Sequence, residues 1–286
     1  MSRIDRHTRT AYRDCMRIAR GHYENFPVAS WLLPRRIRYP VAAIYTFARR
    51  ADDLADEGTR PDDERLRELD AMEAAVDAAA RGEPGDDPLY VALADAIPRH
   101  GLPVSLFHDL LDAFRQDVTK KRYADFGEVM QYCRRSANPV GRLLLHLTGN
   151  DDEKNLALSD GICSALQLIN FYQDLVQDYE EMGRIYLPQD EMERYGVTEA
   201  HLHERRSDVA MRRLMQHQYQ RADRMIRAGA PLGRRLRGRF GFEIRMIIMG
   251  GARIVYRLKQ QDELFSRPRL RTRDWTSIVK GALFPR

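Results

Sequence analysis

The sequence lacks the marks of several large protein classes. No apolar run approaches the roughly 18–20 residues that a membrane-spanning helix needs. The N-terminal stretch MSRIDRHTRTAYRDC has no apolar core of the kind that secretory signals carry. Its three cysteines (Cys15, Cys133 and Cys163) are widely spaced and form neither a disulfide framework nor a zinc pattern. These absences predict a protein of the reducing cytoplasm.

Acidic charge is scarce in the C-terminal third, where the stretches RRLRGRFGFEIR and SRPRLRTRDW are strongly basic, whereas residues 52–95 are acidic. The formal net charge is +5. The basic stretches contain few aromatic residues and match no nucleic-acid-binding motif, so we predict no nucleic-acid partner. Anionic small molecules or an anionic lipid surface suit this charge better.

Alternation of β-branched residues is also scarce, and the chain is rich in Ala, Leu, Arg, Glu and Met. Pro and Gly punctuate it into segments of about 12–25 residues, the length of full-size helices. No repeat or low-complexity linker interrupts this pattern. We therefore predict one all-α domain over residues 1–286.

Three helix boundaries follow from local signals. One helix begins at Pro40 and runs to Glu57, before Gly58. A second is capped by Ser159 or Asp160 and runs to Glu181, before Gly183. Asn138 and Pro139 lie inside an otherwise helical stretch and predict a kink there.

The end of the first helix, FARRADDLADEG (47–58), carries four acidic residues within six positions: Asp52, Asp53, Asp56 and Glu57. Asp52 and Asp56 are four residues apart, so they share one face about 6 Å apart along the axis. Tyr45 and Arg49 extend this face, whereas Asp53 and Glu57 lie beside it in a supporting or solvent-facing position. By itself the motif also fits an ordinary exposed acidic helix end.

A second polar stripe lies in LQLINFYQDLVQDYEEMGRIYLP, where Asn170, Asp174 and Asp178 recur every four residues. These three positions drift only about 80° around a helix, so they line one face over two turns. Their surroundings are apolar and contain no alternating Lys, unlike a salt-bridged surface helix. Two such stripes indicate a central cavity in which they face each other.

The ligand types narrow the choice of metal. Oxygen ligands favour Mg²⁺, with Mn²⁺ as the alternative, and Mg²⁺ typically takes one or two carboxylates together with water and phosphate oxygens. A di-iron bundle would need Glu-x-x-His motifs, and the sequence has none. It also has no glycine-rich phosphate loop and no nicotinamide-binding pattern, so we expect no NADPH.

The combination of ADDLAD, NFYQDLVQD and GRIYLP resembles the squalene and phytoene synthases, from about His22 to the 260s. Within that family, GHYENFPVASWLLP (21–34) and YCRRSANPVGRLLLHL (132–147) are most similar to the bacterial hydroxysqualene synthases. The resemblance implies an isoprenoid-synthase helical bundle around a long apolar cavity, with Mg²⁺ and diphosphate at its mouth.

The resemblance also implies roles for individual residues. The metal ligands are Asp52, Asp56, Asn170, Asp174 and Asp178. The substrate and diphosphate contacts are His22, Asn25, Phe26, Arg49, Arg134, Arg135, Arg184 and Asn170. The residues nearest the chemistry are Tyr132, Arg49, Asn138 and Tyr45. The aromatic rings available for cation–π stabilisation of a carbocation are Phe26, Tyr45, Tyr132, Phe171 and Tyr172.

The chain departs from the family pattern at three places. Tyr23, Glu24 and Asn25 replace a common Ser-x-Ser, and RRSANPVG replaces a run of small residues after the Tyr–Cys pair. Gln173 replaces an Arg often found before the first Asp of the second motif. These changes argue against the joining of two farnesyl diphosphates and leave ionisation of a bound diphosphate intact. Asn138 would position a water near the cation.

The predicted reaction therefore converts presqualene diphosphate and water to hydroxysqualene and diphosphate, as a carbon–oxygen lyase of squalene and hopanoid biosynthesis. The alternatives are a head-to-head prenyl transferase that makes presqualene diphosphate, squalene or phytoene, and a non-catalytic helical partner protein. A partner synthase would supply the substrate.

The segment DWTSIVKGALFPR predicts a peripheral membrane contact, with an ordinary terminal helix as the alternative. His146 and the histidines of HLH (201–203) have no second metal-type ligand at suitable spacing.

Overall fold

A computed structural model of the protein describes residues 4–21, 33–34, 36–58 and 60–283. These residues form fifteen helices and, apart from one isolated bridge between Arg122 and Ile185, no β-structure. The helices are α1 (Arg6–Gly21), α2 (Arg38–Asp56), α3 (Asp62–Ala80), α4 (Pro88–His100), α5 (Ser105–Thr119), α6 (Phe126–Ser136), α7 (Asn138–Thr148), α8 (Glu153–Gln173), α9 (Leu175–Met182), α10 (Gln189–Tyr195), α11 (Glu199–His203), α12 (Val209–Gly229), α13 (Leu232–Arg235), α14 (Gly238–Gln260) and α15 (Thr272–Leu283). The predicted all-α class is confirmed.

The chain divides into two compact units. The first comprises Met1–Thr119 and Pro139–Asp152, and the second comprises Lys120–Asn138 and Glu153–Arg286. No helix of the described residues is both long and apolar enough to cross a membrane. A single domain over residues 1–286, enclosing a central apolar cavity, stays a prediction.

In the first unit, α2 packs against α1, α3, α4 and α5. Phe47 of α2 meets Phe107 of α5 edge to face, with ring centroids 5.1 Å apart, and both rings are fully buried. Apolar side chains fill the inward face of α2, so its acidic end belongs to a helix that its neighbours hold firmly.

In the second unit, α8 packs against α6, α12, α13 and α14. The approach of α8 to α12 is close because Gly229 has no side chain: a Cβ there would lie 2.6 Å from Ile162 Cγ1 and 2.7 Å from the Leu158 carbonyl. A Cβ at Gly251 of α14 would likewise meet Leu166 at 2.6 Å. Small residues therefore set the distance between α8 and two of its neighbours.

The helix boundaries correct two of the three predictions. Helix α2 begins at Arg38, so Pro40 is its third residue, and it ends at Asp56 with Glu57 as the C-cap. Helix α8 begins at Glu153, so Ser159 lies inside the helix and caps nothing. Glu153 in the first turn favours this earlier start because an acidic side chain stabilises the N-terminal dipole.

The predicted interruption at Asn138 and Pro139 is confirmed. Helix α6 ends at Ser136, Ala137 is its C-cap, and α7 begins at Asn138. Pro139 is therefore in the first turn of α7, where its missing N–H leaves no helical hydrogen bond unmade.

Candidate functional site

The first aspartate motif lies at the C-terminal end of α2. Ala51 and Ala55 are buried, whereas Asp52 and Asp56 beside them are half-buried. The helix is continuous through the motif, so the predicted four-residue pairing of Asp52 and Asp56 on one face is present.

Arg49 joins the two acidic stripes of this motif. Its Nη1 lies 3.3 Å from Asp52 Oδ2, and its Nη2 lies 2.7 Å from Asp53 Oδ1 and 2.8 Å from Glu57 Oε1. The guanidinium thus offsets the repulsion among three carboxylates within two helical turns. Tyr45 is half-buried one turn earlier on the same helix.

The second aspartate motif straddles a break in the helix, which corrects the prediction of one helix to Glu181. Helix α8 ends at Gln173, and Asp174 has φ −105° and ψ 11° as the residue that precedes α9. The hydrogen bonds continue across the break, from Asp174 N–H to Asn170 O at 2.9 Å and from Asp178 N–H to Asp174 O at 2.8 Å. The three polar residues therefore remain one turn apart along the backbone although the helix is not regular.

A distant segment of the chain holds this break. Gln173 Nε2 donates to the Pro268 carbonyl at 2.8 Å, and Arg267 Nε lies 2.8 Å from Asp174 Oδ1. The second contact is an ion pair by distance, but its angle is poor for a hydrogen bond. Burial raises the pKa of the Asp174 carboxyl, and the Arg267 charge opposes this rise.

Sequence reasoning missed Arg267. The only signal was the basic stretch SRPRLRTRDW, which indicated an anionic partner without indicating which carboxylate its arginines approach. Gln173, noted as a departure from the family pattern, is the residue that ties this stretch to the second motif.

The donor atoms of each motif fit Mg²⁺. Among the described residues, no three His, Cys, Asp or Glu side chains converge into a complete metal cage. Mg²⁺ rarely uses such a cage, since it usually keeps waters and phosphate oxygens beside one or two carboxylates. The buried Asp174 Oδ1, which has a nearby cation but no aligned hydrogen-bond donor, is an oxygen of the kind that such a metal binds.

Four buried aromatic rings cluster next to the second motif: Tyr123, Tyr132, Phe171 and Tyr186. Phe171 and Tyr186 stack with centroids 3.7 Å apart, and Tyr132 lies 5.5 Å from Tyr186 and 6.0 Å from Phe171. Lys120 Nζ lies 4.9 Å from the centre of the Tyr123 ring, so one ring of this cluster already faces a cation.

The aromatic residues predicted to stabilise a cation therefore divide. Tyr132 and Phe171 belong to the four-ring cluster, whereas Tyr172 points to α12, where its hydroxyl donates to Gln218 Oε1 at 3.1 Å. Complete burial raises the pKa of the Tyr172 hydroxyl. Tyr172 thus contacts α12 and is not part of the four-ring cluster.

The remaining predicted residues have diverse surroundings. Asn138 is buried, and its Oδ1 accepts a 2.8 Å hydrogen bond from Ser164 Oγ. Arg134 and Arg135 are exposed on the last turn of α6. Arg184 is buried, and its backbone N–H bonds to Asp178 O at 3.0 Å, directly after the left-handed Gly183.

Three predicted substrate contacts and the histidines outside the two motifs remain to be placed. His22, Asn25 and Phe26 lie outside the described residues. His146 Nδ1 lies 2.8 Å from Asp151 Oδ2, and His201 joins Thr198 in the capping box of α11. Both histidines thus have local partners within their own segments.

The chain is similar to known proteins. The sequence matches the profile described as "Squalene/phytoene synthase" over residues 19–276. A hydroxysqualene synthase of Rhodopseudomonas palustris is 38% identical over 261 residues, which are 91% of this chain and 88% of that protein. A phytoene synthase of Mycobacterium tuberculosis is 37% identical over 187 residues, 65% of this chain and 60% of that protein.

A solved structure agrees with the sequence matches. The crystal structure of a squalene synthase from Alicyclobacillus acidocaldarius has a TM-score of 0.85 and 33% identity, and it covers 93% of this chain and 98% of that chain. The matched range of the family profile contains both aspartate motifs and the aromatic residues beside the second. The chain belongs to the squalene/phytoene synthase family, whose enzymes act on prenyl diphosphates and typically use Mg²⁺.

Proposed function

We propose that this enzyme converts presqualene diphosphate and water to hydroxysqualene and diphosphate. The observation that carries the proposal is the order of side chains at the C-terminal end of α8. There Phe171 of the aromatic cluster lies between Asn170 and Asp174, the residue at which the helix breaks. A helix that offers diphosphate ligands and a buried aromatic surface on adjoining faces suits the ionisation of a lipid diphosphate. The similarity to hydroxysqualene synthases over most of the chain supports this choice of product.

Binding of the leaving group is the first requirement. We assign Mg²⁺ ligation to Asp52, Asp56, Asn170, Asp174 and Asp178. Bound Mg²⁺ supplies Lewis-acid neutralisation of the departing diphosphate. Arg49 and Arg267, which already contact the carboxylates of the two motifs, add positive charge for the same anion. Further diphosphate contacts are proposed for His22, Asn25, Phe26, Arg134, Arg135 and Arg184.

The carbon–oxygen bond then breaks and its electron pair leaves with the diphosphate. Aromatic faces of Tyr132 and Phe171, with Tyr45 on α2, stabilise the resulting cation while it rearranges away from bulk water. The Asn138 amide, held through its Oδ1 by Ser164, orients the water whose oxygen bonds to the cation. That water releases its second proton to diphosphate or solvent, which balances the reaction without a reductant, so no NADPH is needed.

This reaction draws on residues of both compact units, so we propose that residues 1–286 act as one catalytic domain. The proposed setting is the cytoplasm, at the periphery of a membrane, with a partner synthase that forms presqualene diphosphate.

Head-to-head transfer between two prenyl diphosphates is the second candidate function, and the 37% identity to a phytoene synthase favours it.

The decisive experiment uses presqualene diphosphate, Mg²⁺ and ¹⁸O-labelled water without NADPH. We expect hydroxysqualene that carries ¹⁸O in its hydroxyl group, measured by gas chromatography and mass spectrometry. Consumption of farnesyl diphosphate with no alcohol from presqualene diphosphate would instead establish the transferase. A folded protein inactive on both substrates would establish the non-catalytic alternative.

A further inference from the structure

Exposed apolar side chains concentrate on the C-terminal helix α15. Among the described residues, five large apolar side chains are exposed: Val209, Tyr256, Trp275, Val279 and Leu283. Three of the five belong to α15, where Trp275 is 49%, Val279 37% and Leu283 56% exposed. A cluster of this kind on one short helix marks a binding surface more strongly than scattered single residues do.

The three exposed side chains of α15 form a stripe along the helix. Trp275, Val279 and Leu283 recur every four residues and therefore lie along one face of α15. The buried stripe that packs on the protein, Asp274, Ile278 and Ala282, is about 100° away. The apolar arc of α15 thus continues from its packed face out into solvent.

The exposed stripe belongs to a helix that is held firmly in the second unit. Buried Asp274 lies 2.7 Å from Arg253 Nε and 2.5 Å from Arg257 Nη2, both on α14, and it accepts the Arg271 N–H at 2.7 Å. At the other end, a Cβ on Gly281 would lie 2.3 Å from Met249 Cε, which shows how closely α15 approaches α14. The exposure of the stripe is therefore a property of a packed helix.

Cationic side chains surround α15 on two sides. A cavity of about 580 Å³ beside its middle and end is lined by Arg227, Arg234, Arg245 and Lys280. A second cavity of about 580 Å³ at its start is lined by Tyr256 and by arginines that include Arg269, Arg271 and Arg273. No Asp or Glu is among the described residues that line either cavity.

We propose that α15 forms a docking surface for an anionic phospholipid bilayer, together with Arg269, Arg271, Arg273 and Lys280 of these two cavities. A short helix with an apolar stripe that includes Trp, flanked by cations, lies stably at a membrane interface. Anionic headgroups complement the arginines, and the apolar stripe enters the boundary of the acyl chains. A second copy of the chain complements this surface poorly, because a two-fold contact would set arginines against arginines.

The docking surface adds a site of membrane contact to the proposed function. Only the purpose of that contact rests on the proposed reaction. A C30 lipid diphosphate partitions into membranes, so an enzyme held on the bilayer draws its substrate from there. Vesicle binding can be measured without turnover. Its failure therefore leaves the proposed reaction untouched, and an inactive enzyme would leave the binding result untouched.

Co-sedimentation with phosphatidylcholine vesicles, with and without phosphatidylglycerol, tests the proposal. We expect binding to the anionic vesicles that weakens with added salt, because salt screens the attraction between the cationic side chains and the headgroups.

The double variant Trp275→Ser/Val279→Ser should lower vesicle affinity at least about tenfold. Val209→Ser, which removes an exposed apolar side chain of the same unit far along the chain, is the matched control and should change it less than about twofold. Each of Arg269→Gln and Arg273→Gln should lower affinity for anionic vesicles roughly fivefold.

Fluorescence gives an independent reading. The sequence contains two tryptophans, Trp31 and Trp275, so Trp275 is the sole reporter in a Trp31→Phe background. Its emission should shift to the blue when anionic vesicles are added. Wild-type protein that fails to sediment with anionic vesicles, or a stripe variant that binds like wild type, would overturn the proposal. A dimer in light scattering that the stripe variant dissociates would replace the bilayer with a second copy.

Discussion

The two aspartate motifs have the same four-residue spacing but different local structures. In α2 the helix is continuous, and the cation that offsets the carboxylates is Arg49, which lies within two turns of them. At α8 the helix breaks at Asp174, and the neighbouring cation, Arg267, comes from a distant segment that Gln173 anchors through Pro268, 95 residues away. The first arrangement is local and the second depends on tertiary packing.

The carboxylates of the two motifs also differ in solvent exposure. The Asp52 side chain is 44% exposed, whereas that of Asp174 is 21% exposed. The Asp174 carboxylate is less hydrated than that of Asp52, so it interacts more strongly with a nearby charge, although burial also opposes its charged form. The difference teaches that two stripes with the same four-residue spacing can place their carboxylates in unlike surroundings.

Removal of one carboxylate from each motif gives the largest effect. Asp52→Asn and Asp174→Asn should each lower kcat/KM by about 10²–10³-fold, because each removes a carboxylate that is proposed to hold Mg²⁺ against the diphosphate. The loss should be greater for Asp174→Asn, and the double variant should lose less than the product if both motifs serve one diphosphate. Steady-state kinetics over a Mg²⁺ titration measure all three.

Asp63→Asn is the matched control for these variants. Asp63 forms an exposed helical ion pair with Arg67 on α3 and should change kcat/KM less than about twofold. Circular dichroism should show equal helicity in all variants. Equal Mg²⁺-dependent turnover in Asp52→Asn and wild type would remove the first motif from the site.

The close packing of α8 on α12 gives the next effect. Gly229→Ala places a methyl group 2.7 Å from the Leu158 carbonyl and should destabilise the protein by about 1–3 kcal/mol. Gly161→Ala has its nearest neighbour at 3.8 Å and should be neutral or stabilise by up to about 1 kcal/mol, since Ala favours the helix. Urea denaturation compares them, and equal stability losses would show that α8 is not held by this contact.

Arg267 gives a smaller, activity-specific effect. Arg267→Ala should lower kcat/KM for presqualene diphosphate about tenfold, because a partly exposed guanidinium leaves the anion site. Arg267→Lys should recover part of the loss, and Arg239→Ala, at an exposed arginine of α14, should change it less than about twofold. An unchanged rate with Arg267→Ala would mean that Arg267 only neutralises Asp174.

The smallest effect concerns the anchor at Gln173. Gln173→Ala deletes the hydrogen bond to the Pro268 carbonyl and should lower stability by about 0.5–1.5 kcal/mol. Gln177→Ala, one turn later and exposed, should change stability by less than about 0.5 kcal/mol. A chemical-denaturation series that ranks these two in reverse would contradict the anchoring role of Gln173.

Much of the local structure could be predicted from short-range signals. Pro139 predicted the interruption between α6 and α7, and Gly58 predicted the end of α2 within two residues. The start of α8 was predicted late because Ser159 and Asp160 look like caps although they lie inside a longer helix. Ser159 is buried by packing in the second unit, and such burial overrides its capping preference.

The sequence by itself determined the all-helical class and the four-residue spacing of the two aspartate stripes. These follow from composition and from the helical period, which brings residues four positions apart to one face. Tertiary structure alone decided the Arg267 contact, the aromatic cluster around Tyr132 and the exposed stripe on α15. Each depends on which distant segments pack together and which faces they cover, and a local periodic pattern contains no such information.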